Sequence, residues 1–94
     1  MYLINKHKIK ILDPKEFGLN NRTAVGETID GKIALLKDRK SRIIMKDGRK
    51  TLEQIEQIKN KTTKEVVVAT NAAVCSKTTK FFKEHSIELI ELEK

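Results

Sequence analysis

The sequence predicts an α/β domain whose mixed sheet combines an antiparallel meander with a later α-β-α-β segment. Three patterns lead to this fold class. Polar and apolar residues alternate over residues 7–12, which is typical of a half-buried strand. Apolar residues recur at helical spacing at Leu52, Ile55 and Ile58. The run EVVVAT, residues 65–70, is rich in β-branched residues and favours a strand covered on both faces. At 94 residues, the chain is predicted to form a single domain, 1–94.

The meander follows from the first half of the sequence. After the strand at residues 7–12, a weaker strand is predicted over Thr23–Ile29. Asp30 and Gly31 then form a dipeptide that suits the positive φ angles of a type I′ hairpin turn. A third strand, Lys32–Lys37, should therefore run antiparallel to the second.

The next segment is predicted to continue the antiparallel pattern. Residues 38–41, with the sequence DRKS, should form a turn, and Arg42–Lys46 should return as a strand. A second Asp-Gly pair, Asp47 and Gly48, should close that strand in another turn.

The second half predicts two helices and two strands. Thr51 and Gln54 have the spacing of a capping box, which predicts a helix that ends near Asn60. Asn71 is expected to cap the second helix, and Ile87–Leu92 should form the last strand. Because a helix joins the last two strands, they should be parallel neighbours. The second helix should expose Lys77, Lys80 and Lys83 and bury Val74, Thr78, Phe81, Phe82 and His85.

Positive charge is concentrated in one stretch of the chain. The net charge is +7, and Lys32 to Lys50 alone has eight basic and two acidic residues. Residues 1–31 carry net +1, and residues 51–94 are neutral. Such clustering favours an anionic partner, most often nucleic acid, although a merely solvated strand surface would also carry these charges.

Two segments resemble the restriction-endonuclease-like nuclease superfamily, which includes the Mrr and RecB types. EVVVATNAAVCSKTTKFFKEHSIELIEL looks like the last third of Mrr-type domains, and IALLKDRKS looks like the strand that delivers an acidic-x-Lys motif in that superfamily. The order of three meander strands followed by helix, strand, helix and strand is also that of its core. The resemblance implies a restriction-endonuclease-like fold in which an Asp, an Asp or Glu and a Lys hold and use Mg²⁺.

The metal-binding motif of this superfamily is incomplete in the sequence. The candidate strands read Leu35-Leu36-Lys37 and Ile44-Met45-Lys46, so each keeps the lysine and replaces the acid with an apolar residue. One acidic-x-Lys triplet is intact, formed by Asp38 and Lys40. The catalytic candidates are therefore Asp38, Lys40 and, as an upstream carboxylate, Asp30.

The functional prediction is a small, basic nucleic-acid-binding domain with a nuclease-like fold, degenerate in catalysis and needing no cofactor. DNA is favoured over RNA as the partner. An active Mg²⁺-dependent endonuclease is the first alternative, with Asp30, Asp38 and Lys40, or another carboxylate such as Glu27, at its site; whether the chain is an enzyme is left open. The residues predicted to bind phosphates are Lys37, Arg39, Lys40, Arg42, Lys46, Arg49 and Lys50.

A second alternative is a protein-interaction subunit whose basic hairpin meets an acidic partner, or whose edge strand pairs with a second copy in a homodimer. No apolar run is long enough to span a membrane, and no signal peptide is recognisable, so a soluble, cytoplasmic protein is expected. The single cysteine, Cys75, excludes an internal disulfide and is expected to be a structural thiol.

Overall fold

A mixed five-stranded sheet forms the centre of the protein in the computed structural model, which describes residues 3–4 and 7–92. The strands lie side by side in the order β3-β4-β5-β6-β7. A short antiparallel pair, β1 (Leu3–Ile4) with β2 (His7–Lys8), precedes them. The sheet strands are β3 (Lys10–Leu12), β4 (Ala24–Glu27), β5 (Ile33–Lys37), β6 (Val66–Thr70) and β7 (Glu88–Glu91). The helices are a 3-10 turn (Pro14–Phe17), α1 (Met45–Lys59) and α2 (Ser76–Glu84).

The topology confirms the predicted α/β class. Strands β3, β4 and β5 form an antiparallel meander, whereas β5–β6 and β6–β7 pair in parallel. Helix α1 connects the first parallel pair and α2 connects the second, as right-handed crossovers require. All five residues of β6 are buried, so the prediction of a central strand covered on both faces is confirmed.

Each face of the sheet has its own apolar cluster. The helix-covered cluster combines inward residues of β4, β5 and β6 with α1 and α2, and its centre includes Leu35, Ile55 and Phe82. Alternate residues of the strands, among them Leu36 and Val67, point to the opposite cluster. This alternation fixes the direction of the residue that follows Leu36, because side chains two apart on a strand share a face. Lys37 therefore points to the helix side, as Leu35 does.

The predicted strand Arg42–Lys46 is wrong, because α1 begins there. Ile43 makes only an isolated parallel bridge with Val74, and the helix starts at Met45. The Asp47 carboxylate accepts the Ile44 backbone N–H at 3.1 Å, which satisfies one of the free donors at the helix start. Asp47 and Gly48 consequently lie in the first turn of α1 instead of forming a hairpin turn.

The predicted capping box at Thr51 is also wrong, since Thr51 lies inside α1. Its hydroxyl donates to the Asp47 carbonyl at 2.8 Å, one turn back, and the residue is buried. The predicted helix end is confirmed, with Asn60 as the C-terminal cap of α1.

Two turn predictions also differ from the structure. The turn before β5 is closed by a hydrogen bond from the Gly31 N–H to the Thr28 carbonyl. Gly31 has a positive φ of 85°, but Asp30 does not, so the turn is not of type I′. Asn71 does not cap α2, because Cys75 occupies that position and accepts the Thr78 N–H. On α2, Thr78 and Phe82 are buried and the three lysines are exposed, as predicted, but His85 is exposed.

Gly26 gives a test of the packing on the sheet face opposite the helices. A Cβ at this position would lie 2.4 Å from Ile9 Cγ2 and 3.0 Å from the Lys10 carbonyl oxygen. We expect Gly26→Ala to destabilise the fold by about 1–3 kcal/mol, because backbone must move to relieve the overlap. Urea unfolding monitored by circular dichroism measures this change.

Gly48→Ala is the matched comparison. Its Cβ would approach the Thr78 Cγ2 at 2.9 Å, a side-chain atom, and alanine is favoured over glycine within a helix by about 1 kcal/mol. The loss should therefore be smaller than for Gly26→Ala. Equal stability of Gly26→Ala and wild type would contradict this packing.

Candidate nucleic-acid interface

A cleft of about 580 Å³ lies at the carboxyl ends of the central strands. Strands β5 and β6 end side by side, with Lys37 in register with Thr70. The loop before β4, the end of β5 and the first half of α1 form the walls of the cleft. Ligand sites in open α/β sheets commonly lie at this edge. The lining residues are Asn20, Arg22, Thr23, Ala24, Leu36, Lys37, Asp38, Arg39, Ile43, Asp47, Lys50, Thr51 and Gln54.

Lys37 is the half-buried cation of this cleft. Its ammonium group donates to the Gln54 Oε1 at 2.8 Å, and the Gln54 amide nitrogen lies 3.5 Å from the Thr23 hydroxyl. Burial first, and then repulsion by Lys50 and Arg39, lowers the pKa of Lys37 to about 8 against the attraction of Asp47. A large fraction of this lysine thus reaches the neutral amine form at mildly alkaline pH.

The loop after β5 is held in place by side-chain hydrogen bonds. Asn71 accepts the Arg39 backbone N–H at 3.0 Å and donates to the Asp38 carboxylate at 2.7 Å. The Thr70 hydroxyl donates to the Lys37 carbonyl at 2.8 Å. Because these contacts join β6 to the loop, they fix the position of residues 38 and 39 at the mouth of the cleft.

Arg39 and Asp47 form an ion pair across the cleft. Arg39 Nη1 lies 3.3 Å from Asp47 Oδ1, and the same guanidinium donates to Ser41. The Ile44 N–H, and then Arg39, hold the pKa of Asp47 below its usual value. Asp47 is therefore an ionised carboxylate whose oxygens already have donors.

The structure brings the predicted phosphate-binding residues to one end of the molecule. Lys37, Arg39, Lys40 and Arg42 belong to the end of β5 and its loop. The other three lie on the first turns of α1, at i, i+3 and i+4, and so share one face of that helix. Five of the seven side chains are exposed, namely Lys40, Arg42, Lys46, Arg49 and Lys50.

The predicted catalytic residues do not all come together. Asp38 lines the cleft, and Lys40 follows it in the loop, but Asp30 precedes β5 and lies at the opposite end of that strand. Five strand residues separate them by roughly 15 Å. Asp30 accepts a hydrogen bond from Thr28, which lowers its pKa, and Lys32 is 3.9 Å away.

The acidic position of the metal-binding motif that the resemblance implies is occupied by an apolar residue in the fold. The position two residues before Lys37 is Leu35, which is fully buried in the apolar cluster. Glu27 lies at the end of β4 far from the cleft and pairs with Lys64. Within residues 3–4 and 7–92, no three His, Cys, Asp or Glu side chains lie close enough to hold a metal ion together.

Sequence reasoning missed four polar residues of this site: Thr23, Asp47, Gln54 and Asn71. Asp47, Lys50 and Gln54 are spaced by three and four residues, which is the signal of one helix face. The Asp-Gly pair at positions 47 and 48 predicts a turn, and this prediction hides the helical spacing. Thr23 and Asn71 come from other elements and could not be placed beside Lys37 without the fold.

No family model and no curated protein matches the sequence. The fold is similar to three solved structures. Apo EndoMS gives a TM-score of 0.64 at 16% identity, over 97% of this chain and 38% of that one. An EndoMS–dsDNA2 complex gives a TM-score of 0.69 at 18% identity, over 96% of this chain and 38% of that one. A repair endonuclease from Pyrococcus abyssi gives a TM-score of 0.61 at 15% identity, over 74% of this chain and 31% of that one.

The chain thus spans less than two-fifths of each of these neighbours. At this level of identity, the similarity establishes the fold. The restriction-endonuclease-like fold that the sequence predicts is confirmed. No helix among the described residues is long and apolar enough to cross a membrane.

The electrostatics of Lys37 can be measured directly. We expect its εCH₂ resonances to titrate with a pKa of about 8. Lys50→Ala should raise this pKa because it removes a repelling charge, and Asp47→Asn should lower it because it removes an attracting one. ¹³C NMR of selectively labelled lysine gives both values.

Lys46→Ala is the control for the charge effect, because it removes an equal charge that is not among the causes of the lowered Lys37 pKa. It should leave the Lys37 titration unchanged. A Lys37 titration at the ordinary lysine pKa in the wild-type protein would contradict the half-buried position of the ammonium group.

Proposed function

We propose that this chain is a small, basic nucleic-acid-binding domain with a nuclease-like fold and no complete metal site. The observation that carries the proposal is the clustering of seven basic residues around the cleft at the carboxyl ends of β5 and β6. Nucleic acids are the anionic partners most often matched by such a surface. The similarity of the fold to repair nucleases supports the same partner.

The seven residues divide into two groups by their contacts. The five exposed cations are free to move toward a phosphate backbone and should supply most of the salt-dependent affinity. Lys37 and Arg39 are instead held by Gln54 and Asp47, so they shape the cleft that a backbone would cross. Contacts of this kind position a nucleic acid and carry little information on its sequence.

DNA is the favoured partner over RNA. One of the similar structures is an EndoMS complex with double-stranded DNA, and this chain matches it over 96% of its own length. Among residues 3–4 and 7–92, no aromatic side chain lines the cleft to stack unpaired bases, which disfavours the usual mode of sequence-specific single-strand RNA recognition. Duplex binding through the backbone is therefore the mode that we propose.

We further propose that the domain does not cut DNA with magnesium or manganese. Mg²⁺ needs hard oxygen ligands in nearly octahedral geometry. Leu35 offers none, and the carboxylates of Asp38 and Asp47 already accept hydrogen bonds from Asn71 and from Arg39 and Ile44. The alternative of an active endonuclease would need these two carboxylates to release their partners and converge.

The second alternative, a protein-interaction subunit or a homodimer, would use an edge of the sheet. Strands β3 and β7 are the two edges, and Ile11 on β3 is 59% exposed. Edge strands can pair with another chain through their free backbone groups. An absence of salt-dependent binding to DNA would favour this alternative.

Replacing exposed cations tests the binding proposal. We expect the triple variant Lys40→Ala, Arg42→Ala and Lys46→Ala to bind duplex DNA more weakly. The slope of log affinity against log salt should flatten by roughly 2–3 units, because three phosphate contacts are lost. Fluorescence anisotropy at several salt concentrations measures this slope, and the melting temperature should change little.

A matched triple variant loses the same charge elsewhere. Lys77, Lys80 and Lys83 are exposed on α2, and their replacement by alanine should leave the salt slope nearly unchanged. Equal weakening in both variants would mean that only net charge matters, and unchanged binding in the first would contradict the proposed interface.

A nicking assay tests catalytic silence. We expect no cleavage of supercoiled plasmid or of single-stranded DNA and RNA with Mg²⁺ or Mn²⁺, because the cleft lacks a converging set of oxygen ligands. Cleavage that requires the metal and is abolished by Asp38→Asn and by Asp47→Asn would establish the endonuclease alternative. Asp30→Asn, at the far end of β5, serves as the control.

A further inference from the structure

The half-buried Lys37 amine lies in the cleft in a position that suits a nucleophile. It lies at the end of a rigid central strand, and its ammonium group donates to the neutral amide oxygen of Gln54. The charges that act on this ammonium group are those of two cations, Lys50 and Arg39, and one anion, Asp47. The binding function proposed above leaves this amine without a chemical role.

We propose that Lys37 attacks the aldehyde of an abasic deoxyribose in DNA and breaks the strand by β-elimination, without a metal. This activity goes beyond nucleic-acid binding, and it depends on binding only to bring the abasic site to the cleft.

The environment of Lys37 favours the form of lysine that can react. Only the neutral amine has the lone pair that attacks a carbonyl carbon, and lysines in such roles are activated by burial or by a neighbouring cation. At pH 7, a lysine with a pKa of about 8 is roughly 9% neutral, whereas an ordinary lysine is about 0.03% neutral. The reactive fraction is therefore enlarged by a factor of roughly 300.

The charges around Lys37 suit an aldehyde that stands between two phosphates. Lys50 on α1 and Arg39 in the loop after β5 act on Lys37 from different elements. An abasic deoxyribose carries its aldehyde at C1′ and a phosphate on each side, at C3′ and C5′. The exposed cations around the cleft, Lys50 among them, can hold those phosphates while the amine meets the carbon between them.

The shape of the cleft admits such a residue. Its volume of about 580 Å³ is within the range of small-molecule sites, and a sugar without a base is far smaller. An abasic nucleotide has no base pair to break, so turning it out of a duplex costs less than turning out a normal nucleotide. Selectivity for the damaged position follows from this difference.

The chemistry balances without an oxidant or a cofactor. The neutral Lys37 nitrogen bonds to C1′, the aldehyde oxygen leaves as water with both amine protons, and one proton taken up from solvent gives the protonated imine. This cation acidifies the C2′–H bond, and the proton passes to water. The electron pair then expels the phosphate from C3′, so that the C3′–O bond breaks and the downstream strand leaves with a 5′-phosphate. Water hydrolyses the conjugated imine and restores the lysine.

Borohydride trapping tests the proposal. The protein is incubated in EDTA with a 5′-fluorescent duplex whose single uracil has been removed enzymatically, and sodium borohydride reduces the imine to a stable amine. We expect a covalent protein–DNA adduct in a denaturing gel, and strand cleavage when borohydride is left out. Adduct yield should rise between pH 7 and pH 9 with a midpoint near 8, because the Lys37 ammonium, beside Arg39, Lys50 and Asp47, loses its proton over that range.

Two variants separate Lys37 from the other lysines. Lys37→Arg keeps a positive charge but has no free amine, so adduct and cleavage should fall at least tenfold. Lys59→Arg, at the exposed end of α1, should stay within twofold of wild type. Digestion of the wild-type adduct and mass spectrometry should place the DNA remnant on Lys37, a readout that does not depend on the folding of any variant.

The outcomes are distinct for the two proposals. A wild-type protein that binds intact duplex but gives no adduct overturns the lyase and leaves the binding function standing. An adduct spread over several lysines, or one that Lys37→Arg does not reduce, also overturns it. Failure to bind any duplex contradicts the binding function itself, and an absence of adduct at high protein concentration then overturns the lyase as well.

Discussion

The parallel pairing of β5 with β6 is the constraint on which the rest of the structure depends. Both strands are apolar over nearly their whole length and are buried on both faces, so each must have covering elements above and below. A parallel pair cannot be joined by a hairpin, and the chain must cross over through α1. The crossover starts where β5 ends, which places the first turns of α1 over the carboxyl edge of the sheet. The cleft follows from this geometry.

The point where β5 leaves the core explains the mixture of properties in the cleft. Leu35 is fully buried, and Lys37, two residues later on the same face, is the first charged side chain of the strand. Its stem remains among packed atoms while its ammonium group reaches Gln54. Beyond it, the chain is basic and exposed. The folded protein pays for this partly desolvated charge with stability, and such costs are usually tolerated at sites that act on a ligand.

The sequence contained enough information for the sheet and for the basic surface, because both depend on local composition. The β-branched run of β6 and the charge of residues 32–50 are visible without any tertiary contact. The start of α1 was missed because Arg42–Lys46 is apolar and β-branched at its centre, and glycine at 48 disfavours a helix. Packing against α2 decided the outcome, since the side chain of Thr78 fills the space beside Gly48. Likewise, Asp30 and Asp38 are near in sequence but stand at opposite ends of one strand.

The apolar residue at position 35 helps to explain the lowered pKa of Lys37. A carboxylate two residues before the lysine, on the same face, would stabilise the ammonium form and raise its pKa. It would also need a cation to offset its own burial. Leucine removes the need for that cation and adds to the apolar cluster instead. It also leaves the lysine with an amide partner and two repelling cations. In the lyase proposed above, the apolar residue at position 35 therefore favours the neutral amine of Lys37, which is the form that reacts with a carbonyl.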